Sequence, residues 1–263
     1  MTKNSLQLTF HRMADGITAF SSTRRGGCSK GNYGGFNVNV HCGDAPHDVE
    51  RNRALLCDTL GIEPQHLVMP HQTHGTATRL IADDFFSLSH NTRQMLLEGI
   101  DAVMTNVPGV CIGVSTADCI PILLYDEAHR AISAVHAGWR GTVAGIVGKN
   151  IAEMAAAYGT RASALHAVIG PGISLENFEV GDEVYEEFRK AGFRMENISR
   201  RYDKWHIDLW ECNRMQLTEA GVPPSNIAKA GICTYAHADE YFSARRLGTA
   251  SGRIFNGIMI DRK

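Results

Sequence analysis

The stretch from Val110 to Gly141, VCIGVSTADCIPILLYDEAHRAISAVHAGWRG, decides the reading of this chain. It holds three short apolar runs rich in Val, Ile and Leu, punctuated by Asp118-Cys119 and Pro121 and then by Asp126-Glu127. Short β-branched runs bounded by turn formers are strands rather than helices. Because they are apolar throughout instead of alternating, they should be covered on both faces. Each run ends at, or opens on, a group able to bind a metal or move a proton: Asp118 and Cys119 between the first two, His136 after the third. Ala137-Gly138 then opens a turn, and Thr142 to Tyr158 reads as a helix capped by Gly159. A titratable side chain there is held by rigid elements while the turn leaves room for a substrate.

Upstream, Gly16 to Phe20 reads as a strand, followed by a Gly/Ser/Arg loop from Ser22 to Gly31 that could wrap an anion. Phe36 to Val40 alternates like a half-buried strand. Asp44 or Asp48 caps a helix that runs to Leu60 and stops at Gly61. Leu67 to Met69 is a short strand that delivers His71 and His74 to a turn, with Ala77 to Ile81 extended beyond it. Asp83 to Glu98 is polar and reads as a loop with one helical turn. Ile100 to Thr105 is a strand, and downstream lie strands at Ala164 to Ile169, His206 to Asp208, Ile227 to Thr234 and Arg253 to Ile260. Gly181 to Ala191 and Leu209 to Ala220 are amphipathic helices. The strands between Ile100 and His136 lie too close together for helical crossovers, which predicts a mixed or antiparallel α/β (α+β type) architecture rather than a doubly wound one. No repeat and no Pro/Ser-rich linker divides the 263 residues, so residues 1–263 read as a single domain.

The charge balance, 26 basic against 28 acidic residues, gives neither a nucleic-acid-binding face nor a polybasic membrane anchor. No run is long enough to span a bilayer, and the N-terminus MTKNSLQLTF lacks a signal-peptide core, so a cytoplasmic protein is expected. The seven cysteines include no C-x-x-C pair, against both a disulfide framework and a zinc ribbon.

Three donors of the types zinc prefers, His71, Cys119 and His136, sit at three strand ends, and three protein ligands plus an open position is the catalytic zinc pattern. Asp118 beside the thiol is a candidate proton carrier, as is His74, which could also close the coordination shell. The same residues permit a metal-free reading, with Cys119 as nucleophile and His136 as its base.

PHQTHG (70–75), STADCIP (115–121), VHAGWRG (135–141), the GPGI corner (170–173) and FSARR (242–246), in that order, resemble the bacterial multicopper polyphenol oxidoreductase, or laccase-domain, family, now described as purine nucleoside phosphorylases. The resemblance runs from about Thr18 to the C-terminus. It implies His71, Cys119 and His136 as ligands of zinc, with copper the alternative ion. It also implies phosphorolysis of adenosine, inosine and methylthioadenosine, with adenosine deamination beside it, and a fold of mixed sheets packed between helical layers, similar to the catalytic domain of cytotoxic necrotizing factor. The partners would be a purine nucleoside and phosphate; oligomeric state stays open. Arg24, Arg140 and Arg245, in glycine-rich or motif-bearing segments, are the candidates for phosphate. Ala244 stands where an aromatic is expected before the arginine pair.

Against the laccase activity itself, multicopper clusters are assembled from His-x-His pairs, and none of the twelve histidines here is so spaced. The H-x-E and P-C-x-x-C signature of nucleobase deaminases is missing as well. Three alternatives to the purine nucleoside enzyme remain: a cysteine amide hydrolase acting on a small molecule or cell-wall precursor, a copper polyphenol oxidase, and a non-enzymatic metal-binding protein.

Overall fold

In the computed structural model, which describes residues 6–262, the central stretch forms three strands in which every residue is buried. Residues 1–5 of the N-terminal segment read above lie outside the described residues. In chain order the strands are β1 (Leu8–Phe10), β2 (Ile17–Ser22), β3 (Leu67–Val68), β4 (Thr78–Leu80), β5 (Ala102–Thr105), β6 (Cys111–Thr116) and β7 (Ile120–Asp126). They continue as β8 (Ala131–Ala137), β9 (Leu165–Ile169), β10 (Glu179–Val180), β11 (Ser199–Arg201), β12 (Trp205–Ile207), β13 (Ile227–Lys229) and β14 (Ile254–Ile260). The helices are α1 (Pro46–Leu60), α2 (His90–Leu96), α3 (Trp139–Val143), α4 (Ile146–Tyr158), α5 (Asp182–Lys190), α6 (Met195–Ile198), α7 (Leu209–Glu219) and α8 (Ala244–Leu247).

Two large sheets, ordered β1-β2-β14-β6-β3 and β13-β9-β7-β8-β5-β4, accompany a small β10-β12-β11 sheet. Most pairs are antiparallel, and β3/β6, β4/β5 and β9/β13 are parallel, so the architecture is mixed α/β. Alternation along each strand sorts side chains onto two faces. Leu123 and Tyr125 of β7 and Ile132 and Ala134 of β8 pack with Ile112, Val114 and Ile258 of the other sheet. On the opposite face, Ile122, Leu124 and Val135 pack against Ile146, Ile151 and Met154 of α4 and Leu217 of α7. The far side of the five-stranded sheet places Phe20 and Phe255 against Leu56 and Cys57 of α1. The order of layers is therefore helix, sheet, sheet, helix.

Several local expectations change. β7 and β8 form the hairpin their spacing implies, but the chain crosses between sheets on either side of β6. The second crossing is the corner at Ala117–Cys119, where Asp118 has φ +87. Phe36 to Val40 is buried yet forms no strand, because Asn37 and Asn39 accept from the backbone N–H groups two residues on and turn the chain locally. The single helix expected from Thr142 is two, broken at Gly145 (φ +74), and Gly159 caps the second as anticipated. The polar segment from Asp83 contains a 3-10 turn and α2, and the strand expected from Ile227 to Thr234 stops at Lys229. No described helix is long and apolar enough to cross a membrane.

Candidate metal centre and its cavity

Three segments meet where the β6–β7 corner, the end of β8 and the turn after β3 converge. One donor atom from each of His74, Cys119 and His136 lies within 4.8 Å of the other two. His74 Nε2 is 3.9 Å from Cys119 Sγ, and the His74 ring meets His136 edge-on at 4.9 Å. A Cβ on Gly138 would come 2.9 Å from His74 Cδ2 and 3.1 Å from Cys119 Sγ, so the glycine keeps open the space the three donors surround. Two imidazoles and a thiolate around such a space fit a zinc-sized ion, and Irving–Williams preference also admits copper.

The sequence reading corrects here at one ligand. His71 is not in this group: its Nδ1 sits 2.8 and 2.9 Å from the two oxygens of Glu98, and its ring stacks on His41 at 3.9 Å. His71 and His74 both line the cavity, but the positive φ of His74 (+64) turns its ring towards Cys119 and His136.

The residue that organises the centre, Asp101, escaped the sequence reading. Its fully buried carboxylate accepts from His136 Nδ1 at 2.7 Å and from the backbone N–H groups of Thr73 (3.2 Å), His74 (3.0 Å) and Gly75 (2.7 Å). One side chain thus fixes the His74 turn and the His136 tautomer, leaving Nε2 of His136 free to ligate. Burial alone would raise the Asp101 pKa, and these donors outweigh it and hold the carboxyl below its ordinary value. The only sequence signal was a lone carboxylate entering an apolar strand, a charge that must be paired if buried.

Cys119 and His136 form a coupled pair. Burial opposes charge on the thiol, but His136 and the hydrogen bonds from both imidazoles lower it to about 6. Burial likewise opposes charge on His136, and the Cys119 thiolate with Asp101 raises it to about 9. Each member of the pair thus favours charge on the other, and a bound cation would take the place of the proton on His136.

Asp118 bonds to other segments. Its Oδ1 accepts from Thr234 Oγ1 and its Oδ2 from the Arg245 backbone N–H, both at 2.7 Å, so it ties the corner to two later segments. The three arginines chosen for phosphate do not line the cavity. Arg24 donates to the carbonyls of Gly34 and Ala238, Arg245 donates to that of Glu179, and Arg140 lies over the Trp139 ring at 4.3 Å.

The cavity over the donors measures about 300 Å³. Its walls include Asn39, Gln72, Ser115, Ala244 and Arg253. Gln72 bonds the backbone N–H and C=O of Ser115 like an added strand residue, which fixes the turn to the end of β6. The Arg253 guanidinium donates to the carbonyls of Thr249, Ser251 and Gly252, and it has no carboxylate partner among the described residues.

The comparisons with known proteins point to one family. The family model described as multi-copper polyphenol oxidoreductase laccase matches residues 18–261. A purine nucleoside phosphorylase of Bacteroides thetaiotaomicron is 50% identical, covering 100% of this chain and 99% of that protein. A protein of an unknown prokaryotic organism named adenosine deaminase RL5 is 41% identical, covering 96% and 97%. Among solved structures, YlmD of Geobacillus stearothermophilus superposes with a TM-score of 0.87 at 29% identity, covering 97% of this chain and 100% of that one.

Proposed function

This chain belongs to the multi-copper polyphenol oxidoreductase laccase family and is an enzyme, and from that premise we propose that it is a zinc-dependent purine nucleoside phosphorylase that also deaminates adenosine. The observation that carries the reading is the convergence of His74, Cys119 and His136 at the floor of a cavity of nucleoside-sized dimensions. Zinc held by those three donors would supply Lewis acidity and lower the pKa of water at the site. Copper is the alternative ion. A four-copper relay is not served by the one three-donor group found among the described residues.

In phosphorolysis, phosphate displaces the purine from the ribose anomeric carbon, giving ribose 1-phosphate and the free base. In deamination, water replaces the purine amine and ammonia leaves. Arg253 is the guanidinium at the cavity wall, and it serves as the phosphate-orienting group in place of Arg24, Arg140 and Arg245. Asp101 holds the His136 proton on Nδ1 through both reactions. Ala244 leaves room at the wall where an aromatic was expected, so the purine is held by shape and polar contacts rather than by stacking there.

Incubation of the zinc-loaded protein with inosine should release hypoxanthine only when phosphate is present, and adenosine should yield ammonia without it. Turnover undiminished in His74→Ala, Cys119→Ala and His136→Ala would remove the triplet from the mechanism.

A second reading is favoured by one observation, the depressed pKa of Cys119 beside two imidazoles. There the thiolate attacks an amide carbonyl and His136 protonates the leaving amine. Under that reading chelators raise activity and iodoacetamide alkylation of Cys119 abolishes it; under the first, chelators abolish it.

A further inference from the structure

A second cavity, of about 650 Å³, opens between α1, the turn at Pro64–His66 and α2. Its cationic lining is Arg53 of α1 and Arg93 and His90 of α2, and the same three residues also line an adjoining recess of about 100 Å³. Neither arginine pairs with a carboxylate among the described residues. Arg93 Nε is buried with no hydrogen-bond partner. Arg53 is half-buried, and its guanidinium finds only the carbonyls of Val38 at 3.4 Å and Leu67 at 3.3 Å, beyond the usual range of such bonds. Of the acidic side chains that share the lining, Asp44 is committed to Ser29 and Asn37, and Glu50 is exposed.

Two guanidiniums brought together at a half-buried surface, without a counter-charge, repel each other and forgo their hydrogen bonds. An arrangement of this kind is compensated by an anion. The donors come from two helices, and the tetrahedrally spread oxygens of a phosphate can accept from both, which favours phosphate. The rest of the lining includes the apolar Val40, Pro46, Val49, Ala54 and Pro64. We propose that this cleft binds the phosphate group of a small phosphorylated organic molecule, at a site separate from the donor triplet. The segment from Asn39 to Asp44 divides the two cavities: Asn39, His41 and Cys42 line the catalytic one, Val40 and Asp44 this one.

The test is calorimetric titration with inorganic phosphate and with phenyl phosphate, which carries no nucleoside, in Arg253→Gln protein so that phosphate at the catalytic cavity does not contribute. The expected result is one phosphate per chain, with phenyl phosphate bound more tightly than phosphate because its ring meets the apolar part of the lining. Adding Arg93→Gln, or Arg53→Lys, should weaken both about tenfold or more, the loss expected for a charge-assisted hydrogen bond. Adding Cys119→Ala should leave both unchanged. Absence of binding at millimolar phosphate, an affinity within threefold after Arg93→Gln, or loss on Cys119→Ala would each overturn the assignment. Should Arg53→Lys fail to fold, Arg93→Gln, on a more exposed helix, decides alone. Because catalysis is not the readout, failure here leaves the purine nucleoside reading intact, and failure of that reading leaves this one intact.

Discussion

Replacing Asp101 by Asn tests how far one buried carboxylate governs the centre. Oδ1 accepts from His136 Nδ1 and the His74 N–H, and Oδ2 accepts from the Thr73 and Gly75 N–H groups. An amide keeps one acceptor and turns the other oxygen into an NH2 donor. If the nitrogen takes the Oδ2 position, two backbone N–H groups of the half-exposed 73–75 turn lose their buried acceptor. If it takes the Oδ1 position, His136 must accept at Nδ1, which puts its proton on Nε2 and removes that atom as a ligand. Either orientation orphans two donors or inverts the tautomer. Two donors at about 1–3 kcal/mol each give about 2–6 kcal/mol of folding stability for Asp101→Asn, and the lower end is expected because water reaches the half-exposed turn.

The metal should suffer separately, by about 10- to 100-fold in affinity, the usual effect of losing a carboxylate behind a ligating imidazole. Urea unfolding of the chelated protein isolates the first effect, and competition for zinc against a calibrated chelator at fixed pH isolates the second. Inosine phosphorolysis at saturating zinc then reports whether the tautomer matters once metal is restored. A variant as stable as the parent, with zinc affinity within twofold, would refute the role assigned to Asp101.

Gly138→Ala places a methyl group 2.9 Å from one donor ring and 3.1 Å from the thiol, and should abolish stoichiometric zinc without unfolding the protein; zinc content by atomic emission checks it. His74→Ala should lose zinc on dialysis while His71→Ala retains it, and the reverse pattern would restore His71 as the ligand. Burial beside Ser21 lowers the pKa of His11 to about 4, below the 6.5 of an unfolded imidazole. Stability is then complete above pH 6.5 and lost as the pH falls towards 4, by at most about 3 kcal/mol, and His11→Gln should flatten that loss in urea melts between pH 7 and 4.5.

Much of the fold was legible because its cause is local. The runs at Cys111–Thr116, Ile120–Asp126 and Ala131–Ala137 are apolar on both faces because each lies between two packed layers. Gly61 and Gly159 stop α1 and α4 in left-handed conformations that other residues resist. The pairing of strands was less legible, since the change of sheet between β6 and β7 depends on the Asp118 corner and its distant bonds to Thr234 and Arg245. Phe36 to Val40 misled because its alternation is real, with Phe36 and Val38 buried beside α1, while Asn37 and Asn39 spend their side chains on turns.

The candidate site was legible where a residue type is rare at a strand end, as with Cys119 and His136, and opaque where the choice turned on long-range partners. His71 and His74 are equivalent as letters; a carboxylate at Glu98 draws one away and a carboxylate at Asp101 positions the other. The arginines chosen by motif lie outside the cavity: Arg24 and Arg245 donate to distant backbone carbonyls and Arg140 lies over the Trp139 ring, none of which the motif letters foretell. The same logic exchanges the two carboxylates. Asp118 stood next to the thiol in sequence and looked like the proton carrier, yet both its oxygens are occupied in holding the corner from which Cys119 projects. Asp101 is 18 residues from Cys119 in sequence (119 − 101) and sets the protonation of the imidazole opposite it. Adjacency along the chain therefore assigns Asp118 to the geometry of the thiol, and burial with four donors assigns Asp101 to the electrostatics of the centre.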